Sequence, residues 1–142
     1  MSWNRRLRMI ISLPVVLLFF LLPGCASSPS LLSQELDQVR KVKVTTYMEE
    51  IREYDLEDQN MIKELYESVA GTQITAHPNP GADGEQNSDP IFVIAFEYKD
   101  GSNETISTTE TGKFIYKRLS GAGWTGGRND TLLTLVNNLS DH

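Results

Sequence analysis

Few side chains in this sequence could carry covalent or acid–base chemistry. The 142 residues include one cysteine, Cys25, and two histidines, His77 and His142. A Ser-His-Asp triad would have to use His77, because His142 is the last residue of the sequence. Zinc sites normally recruit several His or Cys ligands, and this sequence offers too few for a metal centre. The enzymatic alternative is therefore a small hydrolase that uses carboxylates near His77.

Cys25 closes an N-terminal segment that has the layout of an export signal. Three arginines precede an uncharged run of 14 residues at positions 9–22. This run is shorter than the roughly 20 residues that a membrane-spanning helix needs. A basic start, a short apolar run and the small residue Gly24 at the boundary are typical of a secretory signal peptide.

The end of this segment, Leu22-Pro23-Gly24-Cys25, resembles the lipobox of bacterial lipoproteins. It departs from the usual pattern at Pro23, where Ser, Ala or Thr is commoner. The resemblance implies a diacylglycerol attached to the Cys25 thiol through a thioether, cleavage after Gly24, and Cys25 as the new N-terminus carrying acyl chains such as palmitate. We therefore expect a signal peptide at 1–24 and a lipidated cysteine with its tether at 25–38. The alternative is an uncleaved signal anchor in which Cys25 plays no part.

The charge of the mature chain limits its partners. Removal of residues 1–24 leaves 118 residues with 10 basic and 19 acidic side chains, a formal charge of −9. Proteins that bind nucleic acid carry clustered positive charge, so we expect no nucleic-acid partner. An anionic membrane surface also repels this domain, so the lipid on Cys25 is expected to hold it at the membrane.

Two segments have the spacing of amphipathic helices. In the first, apolar side chains recur three and four residues apart, Asp55 or Asp58 can cap the start, and Gly71 is the expected end. Its apolar stripe is Met61, Ile62, Leu65, Tyr66 and Val69. In the second, Asn129 or Asp130 can cap the start. Its stripe is Leu132, Leu133, Val136 and Leu139. Each stripe predicts a helix that packs one face on a sheet.

Other segments predict strands. Residues 39–47 alternate between apolar and polar side chains, which favours a strand with one wet face. Residues 91–98 form an apolar run typical of a central strand covered on both faces. The Asp-Gly pair at 100–101 favours a type I′ hairpin turn into a polar return strand at 104–109, expected near an edge. Residues 113–119 complete a three-stranded meander.

The remaining segments are interpreted as connections or short elements. The acidic stretch at 49–58 is expected to begin as a connection or continued extended chain, residues 31–36 as one or two helical turns capped by Ser30, and residues 72–76 as a short strand. The element order is β-α-(β)-β-β-β-α. We predict one α+β domain at 39–142, with a small antiparallel sheet of four or five strands and two helices packed on one face.

Residues 121–126, Gly-Ala-Gly-Trp-Thr-Gly, match the dinucleotide-binding pattern G-x-G-x-x-G. That pattern needs a βαβ unit and an acidic residue about 20 positions further on, and the sequence ends 16 residues after Gly126. We therefore expect no dinucleotide cofactor. Two readings remain, a strand-to-helix turn with Trp124 covering the edge of the core, or an interaction surface in which Trp124 and Arg128 are exposed.

The long polar segment at 77–90 and a set of basic residues offer two further candidate sites. Asp83, Glu85, Asn87 and Asp89 alternate as in a calcium loop, but an EF-hand needs Gly and Glu where Ser88 and Ile94 stand, so a solvated loop is favoured. The basic residues are Lys41, Lys43, Lys113, Lys117 and Arg118. They could form a positive patch on the wet face of the sheet, or balance the local acids.

Short motifs at 98–102, 113–116 and 126–130 resemble those of small uncharacterised lipoproteins of Gram-positive bacteria. This resemblance implies an extracytoplasmic location, in the outer leaflet of the plasma membrane, and no particular activity. We predict a lipoprotein of the cell envelope, anchored in the membrane through Cys25, that binds a ligand or an envelope protein without a cofactor. The alternative is the hydrolase that uses carboxylates near His77.

Overall fold

The computed structural model describes residues 29–75, 89–120 and 123–139. These residues form an α+β domain with one antiparallel sheet and two helices. The strands are β1 (Val39–Thr46), β2 (Arg52–Leu56), β3 (Phe92–Tyr98), β4 (Asn103–Thr108), β5 (Phe114–Arg118) and β6 (Trp124–Arg128). The helices are α1 (Gln59–Ala70) and α2 (Leu132–Asn138). The strand order is β2-β1-β3-β4-β5-β6. The predicted α+β class is confirmed, with six strands where four or five were expected.

Both helices pack against the same face of the sheet and enclose one hydrophobic core. Every second residue of β3 is buried, from Phe92 to Tyr98, and β1 shows the same alternation. The buried side chains of α1 and α2 belong to the same cluster as these strand residues. Within the part of the chain that is described, neither helix is long and apolar enough to cross a membrane.

The first predicted helix forms with the predicted cap and end. The Asp58 carboxylate accepts hydrogen bonds from the backbone N–H groups of Asn60 and Met61, at 2.8 and 3.0 Å. These bonds satisfy N–H groups that have no partner inside the helix. Gly71 follows the last helical residue. Ile62, Leu65, Tyr66 and Val69 are buried, and Met61 is partly buried.

The acidic stretch at 49–58, whose first part is expected to be a connection or continued extended chain, contains the edge strand β2. Asp55 is directly opposite Lys43 of β1, and diagonal ion pairs join Lys41 to Asp55 at 3.0 Å and Lys43 to Glu53 at 2.7 Å. Cross-strand pairs of opposite charge stabilise a sheet without apolar side chains. The hydrophobic alternation that identifies most strands is therefore weak in this segment.

The glycine-rich segment that was expected to be a turn is strand β6. A Cβ atom on Gly126 would lie 2.3 Å from the Ile115 carbonyl oxygen, and one on Gly127 would lie 2.0 Å from the Gln73 carbonyl oxygen. These glycines are needed because two neighbouring backbones approach β6 closely. The strand expected at 72–76 is reduced, among the described residues, to one bridge between Thr75 and Gly126.

The hairpin between β3 and β4 forms at the predicted place with a different turn. Tyr98 N–H donates to the Ser102 carbonyl and Gly101 N–H to the Tyr98 carbonyl, which defines a three-residue loop rather than the expected type I′ turn. Gly101 takes a left-handed φ of 86° at the last loop position. Strand β4 lies inside the sheet, between β3 and β5, and not near an edge as expected.

The packed domain begins earlier than residue 39. Leu31 and Leu32 are 0% and 5% exposed and belong to the hydrophobic core. The helical turns expected at 31–36 are replaced by a short 3-10 helix, Leu36–Gln38. Residues 31–38 therefore belong to the domain, although they were assigned to the tether.

Asn129 joins the two helices through a buried amide. Its Oδ1 accepts from the N–H of Leu132 at 2.9 Å, so it serves the predicted capping role at the start of α2. Its Nδ2 donates to the Ser68 carbonyl and to the Thr72 hydroxyl, both at 2.9 Å. Asn129 is 8% exposed, so water cannot easily replace these partners.

Replacing Asn129 by Ala should lower the free energy of unfolding by about 2 kcal/mol, because buried groups on both helices lose their partners. Urea denaturation followed by circular dichroism measures this change. Asn60→Ala is the matched control, since Asn60 is exposed on α1, and it should change stability by less than about 0.5 kcal/mol. Equal effects of the two substitutions would contradict the role assigned to Asn129.

Candidate functional site

A cleft lies beside β4 and β5 at the end of the sheet where their ladder stops. The ladder joins the two strands at Ser107 with Tyr116 and at Thr108 with Ile115. Beyond these pairs, β4 continues to pair with β3 and β5 with β6. The cleft has a volume of about 380 Å³. It is lined by Asn103, Glu104, Thr105, Ser107, Lys117, Arg118, Leu119 and Ser120.

The β4–β5 ladder ends at the cleft. Thr109 N–H donates to the Phe114 carbonyl, so the hydrogen-bonded positions of this ladder are the odd-numbered residues of β4. Continuing the ladder from Ser107 and Tyr116, the next hydrogen-bonded pair would be Thr105 with Arg118, which does not form. Thr105 and Arg118 both line the cleft.

An ion pair between Glu104 and Lys117 crosses the cleft on the helix-facing side of the sheet. The Lys117 Nζ lies 2.7 Å from Glu104 Oε1. The other carboxylate oxygen, Oε2, accepts from the Ser33 N–H at 2.9 Å and from the Tyr98 hydroxyl. The side chains of Glu104 and Lys117 are only 12% and 18% exposed. This carboxylate is thus held by three donors from three different parts of the chain.

These contacts fix the protonation of the groups involved. Burial alone would raise the pKa of Glu104, but the hydrogen bonds from Lys117, Tyr98 and Ser33 outweigh burial, and the pKa is lowered from its ordinary value. Burial, followed by the hydrogen bond to Glu104, raises the pKa of the Tyr98 hydroxyl far above its ordinary value. At neutral pH Glu104 is therefore a carboxylate and Tyr98 a hydrogen-bond donor.

Arg118 lines the cleft and carries a positive charge. It is exposed, and it makes no ion pair with the residues that the structure describes. Because Lys117 is neutralised by Glu104, the residues that line the cleft carry one net positive charge, on a domain whose overall charge is strongly negative. A guanidinium without a partner is suited to binding a carboxylate through two parallel hydrogen bonds.

Trp124 and Arg128 lie at the two ends of β6, on the face that points away from the helices. The indole of Trp124 is partly buried, with the rings of Phe114 and Tyr116 edge-to-face at 5.6 and 6.1 Å. Arg128 is exposed, with its Nε 2.8 Å from the carboxylate of Asp130. The two residues share a face but are not neighbours. Their role as an interaction surface stays a prediction.

The basic residues do not form one patch. Lys41 and Lys43 pair with acids of β2, and Lys117 points to the opposite face of the sheet to pair with Glu104. The alternative interpretation, that these residues balance local acids, is confirmed for these three lysines. A shared positive patch is not formed, because Lys117 lies on the opposite face of the sheet from Lys41 and Lys43 and each of the three is paired with an acid.

Several predicted positions fall outside the described residues. These are Gly24, Cys25, His77, Asp83, Glu85, Asn87, Gly121 and His142. Asp89 is described and is exposed. Within residues 29–75, 89–120 and 123–139, no three His, Cys, Asp or Glu side chains are grouped closely enough to hold a metal ion.

No protein-family model, curated protein or solved structure matches this chain. The cleft was not among the sites that sequence reasoning identified. The sequence does contain one indication of the ion pair at the cleft. Glu104 shares its strand face with the buried Ile106 and Thr108, and a charged residue at a core-facing strand position requires a partner of opposite charge. Lys117, on the same face as the buried Ile115, is the residue that could serve as this partner.

Replacing Lys117 by Gln should lower the free energy of unfolding by about 3 kcal/mol, because it leaves the largely buried Glu104 carboxylate, 12% exposed, without its counter-ion. Lys43→Gln removes an exposed ion pair and is the matched control, with an expected loss much smaller than that of Lys117→Gln. Guanidinium denaturation at pH 7 measures both. A loss at Lys117 no larger than that at Lys43 would contradict the buried pair.

The difference between wild type and Lys117→Gln should depend on pH. In the wild type the pKa of Glu104 is lowered from 4.5, so its contribution is present above that value and is lost as the pH falls through the lowered pKa. In the variant the pKa of Glu104 should be higher, because the hydrogen bond from Lys117, which opposes the effect of burial, is lost. The stability difference should be full at pH 7 and should narrow as the pH falls toward and below 4.5, and a difference independent of pH would exclude Glu104 as its source.

Proposed function

We propose that this protein is a lipoprotein of the cell envelope, anchored through Cys25 on the extracytoplasmic side of the membrane, which binds a small polar ligand in the cleft between β4 and β5. The observation that carries the binding role is a cavity of about 380 Å³ lined mostly by polar and charged residues of β4, β5 and the residues that follow β5, among them Thr105, Lys117 and Arg118. Such convergent polar groups in a concave site are typical of ligand recognition.

The fold supports the anchor by bringing the chain into the core soon after Cys25. Leu31 is fully buried, and it lies six positions after Cys25 along the chain. An extended chain of six residues spans at most about 20 Å, so a lipid on Cys25 would hold the domain close to the bilayer. The lipobox at 22–25 supplies the attachment.

The same segment defines which end of the domain faces the membrane. Ser33 N–H binds Glu104, and the Gln34 amide donates to the side chains of Asp100 and Ser102, at 3.0 and 2.8 Å. The chain therefore enters the domain at the end of the sheet where β4 begins and the cleft opens. In the proposed arrangement the cleft lies on the membrane side of the domain.

Binding fits the cleft better than catalysis does. Its two buried titratable groups, Glu104 and Lys117, are bound to each other, and the lowered pKa of Glu104 makes this carboxylate a weak base at neutral pH. A general acid or base needs a pKa near the working pH and access to the substrate. The ion pair instead gives the cleft a fixed shape.

Cys25→Ala should abolish incorporation of an alkyne analogue of palmitate and release the protein from washed membranes of the expressing bacterium, because the thioether cannot form. Ser27→Ala is the control and should keep both label and membrane association. A Cys25→Ala protein that stays in the membrane fraction with its N-terminal segment uncleaved would support the signal-anchor alternative and overturn the lipid anchor.

Thr105→Trp should block the cleft. Native mass spectrometry of the lipidated wild-type protein, after incubation with the low-molecular-weight fraction of the envelope, should show a bound species that Thr105→Trp does not retain. Thr45→Trp is the control, because Thr45 lies on β1, two strands away from β4. Retention of the same species by Thr105→Trp, or no bound species in the wild type, would contradict a binding role for the cleft.

A further inference from the structure

We propose that the loop between β1 and β2 is the contact surface for a second protein, whose own surface combines an apolar pocket with basic side chains. This loop, residues 47–51, forms the hairpin tip. Its role goes beyond ligand binding in the cleft and does not depend on the cleft. Its exposure, its rigidity, its charge and its position in the domain all favour contact with another protein.

The hairpin tip is where large hydrophobic side chains are exposed. Among the described residues four such side chains are exposed, and Tyr47, Met48 and Ile51 are three of them. Ile51 has the highest exposed fraction of the four, 72%. Single exposed apolar residues are common on protein surfaces, whereas several together mark an interaction site. Tyr and Met are also enriched in the cores of protein interfaces.

Neither the turn nor the core of the domain explains these apolar side chains. Tight turns favour Gly, Pro, Asn, Asp and Ser, and residues 47–51 include none of these types. Tyr47, Met48 and Ile51 are also absent from the buried core and from the partly buried side chains that pack against it. Burial of the three side chains against a partner would therefore supply a favourable free energy that the isolated domain lacks.

The hairpin tip is held in place before a partner binds. The Tyr47 N–H donates to the Ile91 carbonyl at 2.8 Å. Strands β1 and β2 pair as far as Thr46 and Arg52, the two residues that flank the tip. A loop that is already fixed loses less conformational entropy on binding, so more of the contact energy contributes to affinity.

The charge of the hairpin tip specifies the rim of the partner's pocket. Glu49 and Glu50 lie between the apolar residues of the tip, and Glu50 pairs with Arg52 at 3.2 Å. Glu49 is exposed and makes no ion pair within the described residues. Complementary charges at the rim of an interface accelerate association and select the partner. The partner therefore carries Lys or Arg beside its apolar pocket.

The same charge disfavours two other occupants of the tip. A second copy of this chain would bring two acidic tips together, and like charges repel. An anionic membrane surface would repel Glu49 and Glu50 in the same way. A basic protein surface is the occupant that accepts both the apolar and the acidic side chains.

The hairpin tip lies at the end of the sheet opposite to the N-terminal segment. Strand β1 begins beside that segment, with Val39 opposite Tyr98, and ends at the tip, with Thr46 opposite Phe92. Its eight residues span about 25 Å, at about 3.3 Å per residue. In the arrangement proposed for the lipid anchor, the tip points away from the bilayer, where a folded protein can reach it.

Photocrosslinking from the hairpin tip tests this assignment. p-Benzoyl-phenylalanine replaces Ile51 in the full chain, which is expressed in cells of the source organism and irradiated. The same replacement of Glu110 is the control, because Glu110 is exposed at the same end of the sheet, in the turn between β4 and β5. Mass spectrometry should identify a protein that crosslinks from position 51 and not from position 110, through a segment with Lys or Arg beside apolar residues.

The identified protein is then purified, and its binding to the lipidated chain is measured by biolayer interferometry. Ile51→Ser should weaken binding about tenfold, whereas Ile51→Leu keeps the apolar contact and should stay within about threefold of the wild type. Glu49→Lys should slow association about fivefold at low ionic strength, and by less when salt is added. Glu110→Lys makes the same charge change outside the tip and should leave association within about twofold.

Several results would overturn this assignment. They are the absence of any protein that crosslinks from position 51 alone, crosslinks only to lipid or to another copy of this chain, a partner segment without basic residues, and binding that Ile51→Ser leaves unchanged. The cleft is tested separately, since Thr105→Trp should not alter the crosslink from position 51.

Discussion

The structure depends on the way one buried carboxylate is neutralised. Glu104 accepts hydrogen bonds from the N-terminal segment through Ser33, from β3 through Tyr98 and from β5 through Lys117. A buried carboxylate without partners is strongly unfavourable, so these three parts of the chain must be in place together. The apolar core stabilises the fold. The cluster of Glu104 with Ser33, Tyr98 and Lys117 determines how the strands at one end of the sheet are positioned.

The same cluster joins β4 and β5 where their ladder stops. Beyond Ser107 and Tyr116 the Lys117 side chain of β5 reaches the Glu104 carboxylate of β4. The cleft lies beside this ion pair and is lined by residues of both strands. A single side-chain contact thus holds the end of the sheet where the ladder does not.

The sequence predicts the parts of this fold that have local causes. Helix α1 has its cap at Asp58, its apolar stripe and its end at Gly71, all within 14 residues, and the β3–β4 hairpin has Gly101 at the turn. Strands β2 and β6 are not predicted because the contacts that stabilise them are distant in sequence. The acidic residues of β2 pair with lysines of β1, and the glycines of β6 allow the backbone at Gln73 to approach closely. The cleft is less predictable still, since it arises from the point at which a ladder stops.

The position of the N-terminal segment connects the cleft with the environment that the lipobox predicts. Because Leu31 is buried in the core and the Ser33 N–H binds Glu104, a lipid on Cys25 would place the cleft in the narrow space between the domain and the bilayer. The negative charge of the domain opposes direct contact with an anionic surface, so that space stays hydrated. A large folded partner would be excluded from it, whereas a small soluble ligand could enter along the membrane surface. The anchor and the cleft thus favour the same class of ligand, for independent physical reasons.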